Sequence, residues 1–335
     1  MTEQHAAVIR FREDIPAALG RPLRSDDILA IAVSGGPDSM ALLALASAAL
    51  PGRVIAATVD HGLRPDAATE AAMVAHYCGD PGIGAPPIPH AVLSPAEPIG
   101  TANLQASART ARYGLLIDWA RGKGATILAT GHHADDQAET FLMRAARGAG
   151  LAGLAAIRRS RRVADDLILL RPLLTWRRRE LRTLAEAWGL PFVDDPSNAS
   201  DRYDRTRFRG LLLQNEWLDV AQIARAASHL ADADRDLHQL DRWLIETYGV
   251  AAAPGERRIT AKGLPREVRR RLVRALVTSL RAELSIENPP WSQASNVESL
   301  LDALEVGKSA TQAGIMGSET GGIWHFRAAP PRRAI

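Results

Sequence analysis

The sequence of 335 residues has a single cysteine, Cys78, and no long apolar run. One cysteine excludes an internal disulfide and any zinc or iron–sulfur site built from several cysteines, and it is typical of a reducing compartment. Residues 1–16 are mixed and charged, so they lack the apolar core of a signal peptide, and no segment approaches the roughly 20 apolar residues of a membrane span. We therefore expect a cytoplasmic protein without a membrane partner, in which Cys78 is buried and has no chemical role.

A large net charge is also missing, since the formal charge is only +3, and the hydrophobic content of 46% is ordinary for a globular protein. The arginines are nevertheless clustered, and local clusters matter more than the total charge for binding a polyanion. Four such clusters occur, at residues 158–162, 177–179, 202–209 and 266–274. Together they predict a surface that binds the backbone of a nucleic acid, although any single arginine is more simply explained as solvated helix surface.

Apolar runs alternate with helical segments over the first two thirds of the chain, which predicts a parallel sheet covered by helices on both faces. The predicted strands are 28–33, 54–59, 88–93, 125–130 and 167–170, and the predicted helices are 6–19, 66–77, 101–120, 133–146 and 175–188 with Thr175 as N-cap. From Val220 onward, apolar residues at heptad spacing predict a long amphipathic helix. We expect an α/β domain at 1–218, followed at 219–335 by a smaller, mainly helical domain with a short β segment within 310–326.

The first predicted strand ends in Ser34-Gly35-Gly36-Pro37-Asp38-Ser39, and an Ala/Leu-rich helix follows. The two glycines allow a sharp turn, and Pro37 suits the first turn of a helix. Backbone amides, the two serine hydroxyls and the positive end of the helix would form a cradle for phosphate. A Walker A loop is excluded because no lysine follows the glycines, and a dinucleotide-binding loop is excluded because three spaced glycines are missing.

Ser-Gly-Gly-x-Asp-Ser between a strand and a helix instead resembles the PP-loop of the N-type ATP pyrophosphatases. Members of that family cleave ATP between the α- and β-phosphates. The resemblance implies that residues Ser34 to Ser39 bind ATP, with Asp38 close to Mg²⁺ bound by the phosphates. Ligands of parallel sheets lie beyond the carboxyl ends of the strands, so we expect Asp60 and the pair Thr130 and Gly131 to complete the nucleotide site.

A second group of polar residues follows at 131–139, where two histidines stand beside two aspartates. Adjacent residues of a helix point in different directions, so a dedicated metal site in this run is disfavoured. Asp136 and Glu139 are three positions apart and share a face, so they are suited to hold a cationic amine, or simply to favour the start of the helix.

These motifs, with Arg-Pro-Leu-Leu at 171–174, Asp-Asp-Pro-Ser-Asn at 194–198 and the Arg-x-Arg pair Arg205 and Arg207, follow the order found in the bacterial tRNA(Ile)-lysidine synthetase family. The resemblance implies an enzyme that adenylates the wobble cytidine of a CAU-anticodon tRNA(Ile) with ATP and then joins free L-lysine to it. It implies that His133 stands near the reacting base and that Asp136 and Glu139 hold lysine. Arg112 and Arg205 or Arg207 would contact phosphate or the adenylate. A homodimer is left open.

Two departures from the family pattern are visible, since Asp204 stands where asparagine is common and the C-terminal region matches weakly. Trp176, Trp188 and Trp217 lie near the basic clusters, and we expect them to be core residues. The Gly307-Lys308-Ser309 triplet is predicted to be a loop. Two alternatives stay open: another PP-loop pyrophosphatase, of the tRNA-thiolation, NAD synthetase or GMP synthetase type, and a module that binds nucleotide or RNA without turnover.

Overall fold

The computed structural model describes residues 3–60, 62, 66–82, 86–95, 104–194, 204–292 and 295–330, except for the side chains of 104–106 and 204. The chain divides into two compact units, Met1–Ala231 and Asp232–Ile335. The division falls inside one long helix. The domain boundary near residue 218 stays a prediction.

The first unit is built on a six-stranded sheet in the order β3-β2-β1-β4-β6-β5. Its strands are β1 (Leu29–Ala32), β2 (Val54–Val59), β3 (His90–Leu93), β4 (Ile127–Thr130), β5 (Ser160–Ala164) and β6 (Leu167–Leu170). All neighbouring pairs are parallel except β5 with β6. The expected parallel sheet is therefore confirmed, and the predicted strands at 54–59 and 167–170 have the observed bounds.

Helices cover both faces of this sheet. The helices of the first unit are α1 (Glu3–Leu19), α2 (Pro37–Ala49), α3 (Ala67–Gly79), α4 (Leu104–Gly122), α5 (Ala134–Ala145), α6 (Leu151–Leu154), α7 (Arg178–Ala187), α8 (Asp204–Gln214) and the start of α9 (Val220–Tyr248). One core joins α1, α2, α3 and α7 to the sheet, and it includes the buried Cys78. A second core lies under α4. A small cluster of Ala134, Ala138, Val220 and Ala224 joins α5 to the start of α9.

Two local predictions require comment. Thr175 does not cap α7. Arg177 is the N-cap residue instead. Its backbone N–H donates to the Glu180 carboxylate at 2.6 Å, so an acid in the first turn of the helix satisfies the backbone of the N-cap residue. Strand β5 was not predicted, because its Ser-Arg-Arg-Val-Ala sequence is polar and only partly buried at the sheet edge.

The second unit combines helices with a five-stranded antiparallel sheet in the order β7-β8-β11-β10-β9. Its elements after α9 are β7 (Gly249–Val250), β8 (Glu256–Thr260), α10 (Arg266–Glu283), α11 (Glu298–Glu305), β9 (Ala310–Gln312), β10 (Ile315–Thr320) and β11 (Ile323–Ala328). Its core contains Leu272, Leu276, Leu301 and Phe326. The expected C-terminal region of helices with a β segment is confirmed, and β7 and β8 add to that segment. Gly307-Lys308-Ser309 is the turn between α11 and β9.

Candidate active site

The loop between β1 and α2 is held by its own two serines. The Ser39 hydroxyl donates to the Gly36 carbonyl at 3.0 Å, and it accepts from the Ser34 backbone N–H at 3.1 Å. The two hydroxyl oxygens lie 3.1 Å apart. Gly35 has φ of +80°, which a side chain would strain. Because no side chain caps α2 at Gly36, the amides of its first turn are open to an anion.

Gly131 at the end of β4 allows this loop to approach the next strand closely. A Cβ atom built at Gly131 would lie 3.2 Å from the Asp38 carbonyl oxygen and 3.3 Å from the Ser39 Cα. A side chain there would force the start of α2 away from β4. The absence of a side chain at Gly131 therefore brings Asp38 next to the residues that follow β4.

The residues that follow Gly131 bring three carboxylates around one imidazole. His133 Nε2 lies 3.4 Å from Asp38 Oδ2 and 3.6 Å from Asp136 Oδ2, and His133 Nδ1 lies 3.7 Å from Asp135 Oδ2. His133 is also the N-cap of α5: in the neutral ring its Nδ1 accepts from the Asp136 N–H, and Asp136 accepts from the His133 backbone N–H in either protonation state. The residues that cap the start of α5 therefore also belong to the charge cluster.

The protonation of His133 is decided by these carboxylates. Only 3% of the residue is exposed, and burial by itself favours the neutral ring. The attraction of Asp136, the hydrogen bond and charge of Asp38, and the charge of Asp135 outweigh burial, so the pKa of His133 is raised. The cluster therefore holds a proton on His133 more firmly than water would.

The neighbouring His132 has the opposite behaviour. Burial first, and then the positive charges of Arg171, Arg109 and Arg205, lower the pKa of His132 to about 3 although Asp136 opposes this. Its Nδ1 lies 2.9 Å from the Thr130 hydroxyl. The two histidines point to different surroundings, as expected for adjacent residues. His132 is therefore a neutral ring that is influenced by both Asp136 and a group of arginines.

Asp136 and Glu139 share one face of α5, as predicted, and two arginines of α8 contact that face. Arg205 donates to Asp136 Oδ1 at 2.8 Å and to Glu139 Oε2 at 2.7 Å, and Arg209 donates to Glu139 Oε1 at 2.8 Å. Glu139 is only 2% exposed. Although burial opposes it, the charges of Asp136 and Glu139 raise the pKa of Arg205. The carboxylate pair is therefore built to hold a cation, and Arg205 is the cation it holds here.

The other predicted site residues are placed as follows. Arg112 lies on α4 near Tyr113, Arg207 is exposed on the outer side of α8, and Thr130 ends β4. Asp60 follows β2 and accepts from the Gly62 N–H at 2.8 Å, and no contact in the described part of the chain links it to the loop at 34–39. His61, residues 63–65, residues 195–198 and Arg202 lie outside the described residues.

Magnesium fits this site only as an ion that arrives with phosphate oxygens. Asp38 Oδ1 is buried and has no hydrogen-bond partner within the described part of the protein, so it offers one carboxylate ligand. No group of three or more His, Cys, Asp or Glu residues that could hold a metal ion occurs among the described residues. Asp38 with neighbouring hydroxyls matches the one or two protein ligands that Mg²⁺ takes beside phosphates.

Several ion pairs were not anticipated from the sequence. Arg177 donates to both oxygens of Asp135 at 3.2 Å, and the Arg178 N–H donates to the same carboxylate at 2.8 Å. Part of the 177–179 cluster therefore fixes α7 to α5. The Arg-Arg-Arg sequence carries no signal that would reveal this, because the partner lies 42 positions away.

The aromatic residues divide in a similar way. Trp176 is buried, with its Nε1 donating to Asp14 at 2.7 Å, as expected of a core residue. Trp217 is 79% exposed in the turn between α8 and α9, so its placement in the core was wrong.

Burial of Cys78 is confirmed, and it raises the pKa of the thiol to about 12, which makes it a poor nucleophile.

In the second unit the 266–274 cluster is engaged by carboxylates of α11. Arg266 contacts Glu298, Asp302 and Glu305, and Arg270 contacts Glu298. Arg271 of the same helix pairs with Asp241 of α9 at 2.8 Å. These arginines are partly neutralised within the chain, which reduces the positive charge available to attract a polyanion.

None of the described helices is both long enough and apolar enough to cross a bilayer.

Comparison with known proteins agrees with this geometry. A family described as the PP-loop domain matches residues 9–216. A tRNA(Ile)-lysidine synthase from Zymomonas mobilis is 42% identical over 96% of this chain and 94% of its own length, and one from Novosphingobium aromaticivorans is 40% identical over 98% and 95%.

Among solved structures, the U34-tRNA thiolase NcsA from Methanococcus maripaludis, with its [4Fe-4S] cluster, has a TM-score of 0.56. It is 21% identical and covers 68% of this chain and 80% of its own, so the likeness shows a shared fold. The loop geometry, the family match and the two full-length relatives lead to one conclusion: this chain belongs to the tRNA(Ile)-lysidine synthase family of PP-loop proteins.

Proposed function

We propose that this protein joins free L-lysine to the wobble cytidine of a tRNA(Ile) precursor with a CAU anticodon, using ATP and releasing AMP and pyrophosphate. The product cytidine derivative is lysidine, which changes the tRNA from methionine to isoleucine specificity. Family membership supports the reaction. The observation in the structure that supports it best is the 3.4 Å approach of His133 Nε2 to Asp38 Oδ2, which joins the phosphate loop to the carboxylate helix.

The first step activates the base. The ring carbonyl oxygen of cytidine attacks the α-phosphorus of ATP, and pyrophosphate leaves. The open amides of α2 and the hydroxyls of Ser34 and Ser39 are suited to hold the departing phosphates. Mg²⁺, held by Asp38 together with phosphate oxygens, would offset the charge that develops on them. His133, whose Nε2 faces Asp38, would donate a hydrogen bond from that nitrogen close to the reacting oxygen.

The second step replaces AMP by lysine. The ring oxygen is a poor leaving group until it carries AMP, and the lysine ε-amine attacks only after losing a proton, since its ordinary pKa is about 10.4. Asp136 and Glu139 would hold the α-ammonium group of lysine. In the structure Arg205 occupies these oxygens. Lysine binding would therefore displace or share the Arg205 contacts, which would release a guanidinium for the adenylate phosphate.

The remaining roles follow from these steps. Thr130 and Gly131 would line the nucleotide site beside Asp38, while Asp60 would face it from the end of β2. Arg112 and Arg207 would contact phosphate of the adenylate or of the tRNA. We also propose a cytoplasmic location, because tRNA is modified there. A homodimer stays a prediction.

The direct test is incubation with ATP, lysine and a CAU-anticodon tRNA. We expect ATP and tRNA together to release pyrophosphate, limited without lysine to a single adenylation of each tRNA, and AMP to form only when lysine is also present. Release of ADP and phosphate would contradict the proposal, AMP formation without lysine or tRNA would favour another PP-loop enzyme, and ATP binding without turnover would favour a binding module.

Replacing Asp38 by alanine tests the loop itself. We expect Asp38→Ala to lower adenylation by about 100-fold or more, because it removes both the His133 contact and the carboxylate placed for Mg²⁺. The matched control is Asp26→Asn, which changes an exposed aspartate of the same unit and should leave turnover unchanged. Normal pyrophosphate release by Asp38→Ala would refute the role given to this residue.

A further inference from the structure

Three arginines gather around Tyr113 at the carboxyl edge of the first sheet. The Arg109 guanidinium carbon lies 5.1 Å from the Tyr113 ring centroid, and that of Arg112 lies 5.8 Å from it. Arg171, the first residue after β6, interacts with the Tyr113 side chain as well. Arg109 and Arg112 come from α4, so two elements converge on this ring.

Arg171 is the least exposed of the three, and its hydrogen bonding is incomplete. Only 8% of the residue is exposed, one terminal nitrogen donates to the Arg158 carbonyl at 2.8 Å, and Nε is buried without a partner. Within the described ranges, none of the three guanidiniums forms an ion pair with a carboxylate. A buried donor without a partner is costly unless a ligand satisfies it.

The charges of the group repel one another. Burial, and then Arg109, lower the pKa of Arg112, while burial and the charges of Arg161 and Arg109 lower the pKa of Arg171. The basic clusters at 177–179, 202–209 and 266–274 do have carboxylate partners, for example Arg205 with Glu139 and Arg270 with Glu298. Like charges gathered without a counterion indicate a site whose anion comes from a ligand.

The position of this cluster separates it from the phosphates of ATP. The PP-loop follows β1, and β4 lies between β1 and β6. Two strand spacings place the end of β6 about 10 Å from the end of β1. His132, which follows β4, interacts electrostatically with both Arg171 and Asp136. Arg109 and Arg171 are therefore near enough to His132 to affect its charge, as is Asp136 of the cluster around His133.

We propose that Arg109, Arg112 and Arg171 bind a backbone phosphate of the RNA substrate beside the reacting cytidine. The inference rests on the proposed function, and it adds Arg109 and Arg171 to the residues that recognise the tRNA. A phosphate about 10 Å from the PP-loop fits a nucleotide whose base reaches His133 while its own backbone lies at the three arginines. Three guanidinium groups offer the planar, charge-assisted contacts that a phosphodiester accepts.

The test uses Arg109→Gln and Arg171→Lys in the full-length protein. Arg171→Lys keeps the charge and loses the planar group, which protects the fold. We expect each variant to raise KM for tRNA about tenfold, with KM for ATP unchanged. Arg109→Gln should also reduce the slope of log Kd for tRNA against log salt by about one. The matched control is Arg121→Gln, an exposed arginine at the other end of α4 that pairs with Asp166 and should change neither quantity.

Substrates with one neutral methylphosphonate on either side of the wobble cytidine identify the phosphate. One of the two modified tRNAs should bind the wild-type protein less tightly than the unmodified tRNA does. The same modified tRNA and the unmodified tRNA should bind Arg109→Gln equally tightly. A rise in KM for ATP instead would assign the cluster to the nucleotide and overturn the inference. The inference would also be overturned if a methylphosphonate weakened tRNA binding equally in Arg109→Gln and in the wild-type protein. If the wild-type protein binds tRNA but forms no AMP, the proposed function fails, while the salt slope and methylphosphonate measurements still test the site.

Discussion

His133 illustrates how one residue can be buried and yet favour its charged form. Asp38, Asp136 and Asp135 lie within 3.7 Å of its ring nitrogens, and their attraction exceeds the cost of burial. The pKa of His133 in the folded protein is therefore above its unfolded value of about 6.5. The protonated ring contributes stability that is fully present below about pH 6.5 and is lost as the pH rises through the folded pKa.

This difference predicts a pH-dependent free energy of unfolding. We expect the stability difference between wild type and His133→Gln to be constant below about pH 6.5 and to shrink as the pH is raised above it. Urea unfolding across this range measures the difference. His229→Gln, which changes an exposed histidine of the same unit, is the control. A difference that grew with pH would mean that His133 is buried as the neutral ring.

Asp136 provides a second prediction at this scale. Asp136→Asn keeps an oxygen that can accept from the His133 N–H, so the helix start is preserved, but it removes one charge from the pair that holds Arg205. We expect KM for lysine to rise about tenfold or more, and KM for ATP to change much less.

The neighbouring aspartate is the matched control for that experiment. Asp135 accepts from Arg177 and the Arg178 N–H, so Asp135→Asn should lower stability without a selective effect on lysine. If Asp136→Asn leaves lysine saturation unchanged, the carboxylate pair does not bind the amine.

Helices α5 and α8 depend on each other through a few charged groups. Glu139 of α5 is buried and accepts from both Arg205 and Arg209 of α8. Glu139→Gln would leave two partly exposed arginines facing a neutral amide, and losing the charge from hydrogen bonds of this kind costs about 1.5–3 kcal/mol. Because α8 has few other buried contacts, we expect its amide hydrogens to exchange faster in this variant, while those of β1 and β4 stay protected.

Arg207→Gln is the control for the packing of α8. Arg207 is exposed on the same helix, so its loss should leave amide exchange in α8 unchanged. Equal protection of α8 in wild type and Glu139→Gln would show that the arginine contacts do not hold the helix.

The elements differ in how well the sequence predicts them. Strands β2 and β6 were predicted with their observed bounds because buried parallel strands are short apolar runs between turns. Strand β5 was missed because an edge strand with one buried neighbour has no such run. The start of α7 was misplaced because Thr175 is a common cap, while Glu180 supplies the decisive contact from within the helix.

The site was predictable in its local motifs and less so in its distant pairs. The phosphate loop and the shared face of Asp136 and Glu139 follow from spacing alone. The contacts of Arg205 with these acids join residues 66 and 69 positions apart, and no local pattern encodes them. Exposure of Trp217 was missed for a related reason: a tryptophan beside amphipathic helices is usually buried, but this one lies in the turn between two of them.

At the scale of the whole molecule, the basic clusters are not equivalent. Arg266 and Arg270 contact acids of α11 and are partly neutralised by them. Arg161 of β5 is exposed, and the described residues contain no ion pair between it and a carboxylate. Since only charges that replace counterions on the RNA contribute to the salt dependence of binding, the two clusters should affect it differently.

This contrast gives a prediction for tRNA binding. We expect Arg161→Gln to reduce the slope of log Kd against log salt by about one, and Arg266→Gln to leave that slope unchanged while lowering the melting temperature of the second unit. Filter binding at several salt concentrations gives the slope, and thermal unfolding gives the stability. If Arg266→Gln reduced the slope and Arg161→Gln did not, the arginines of α10 would leave their α11 carboxylate partners to bind RNA. The sum of basic residues in the sequence cannot distinguish these outcomes, because a charge attracts a polyanion only to the extent that the fold leaves it without an internal partner.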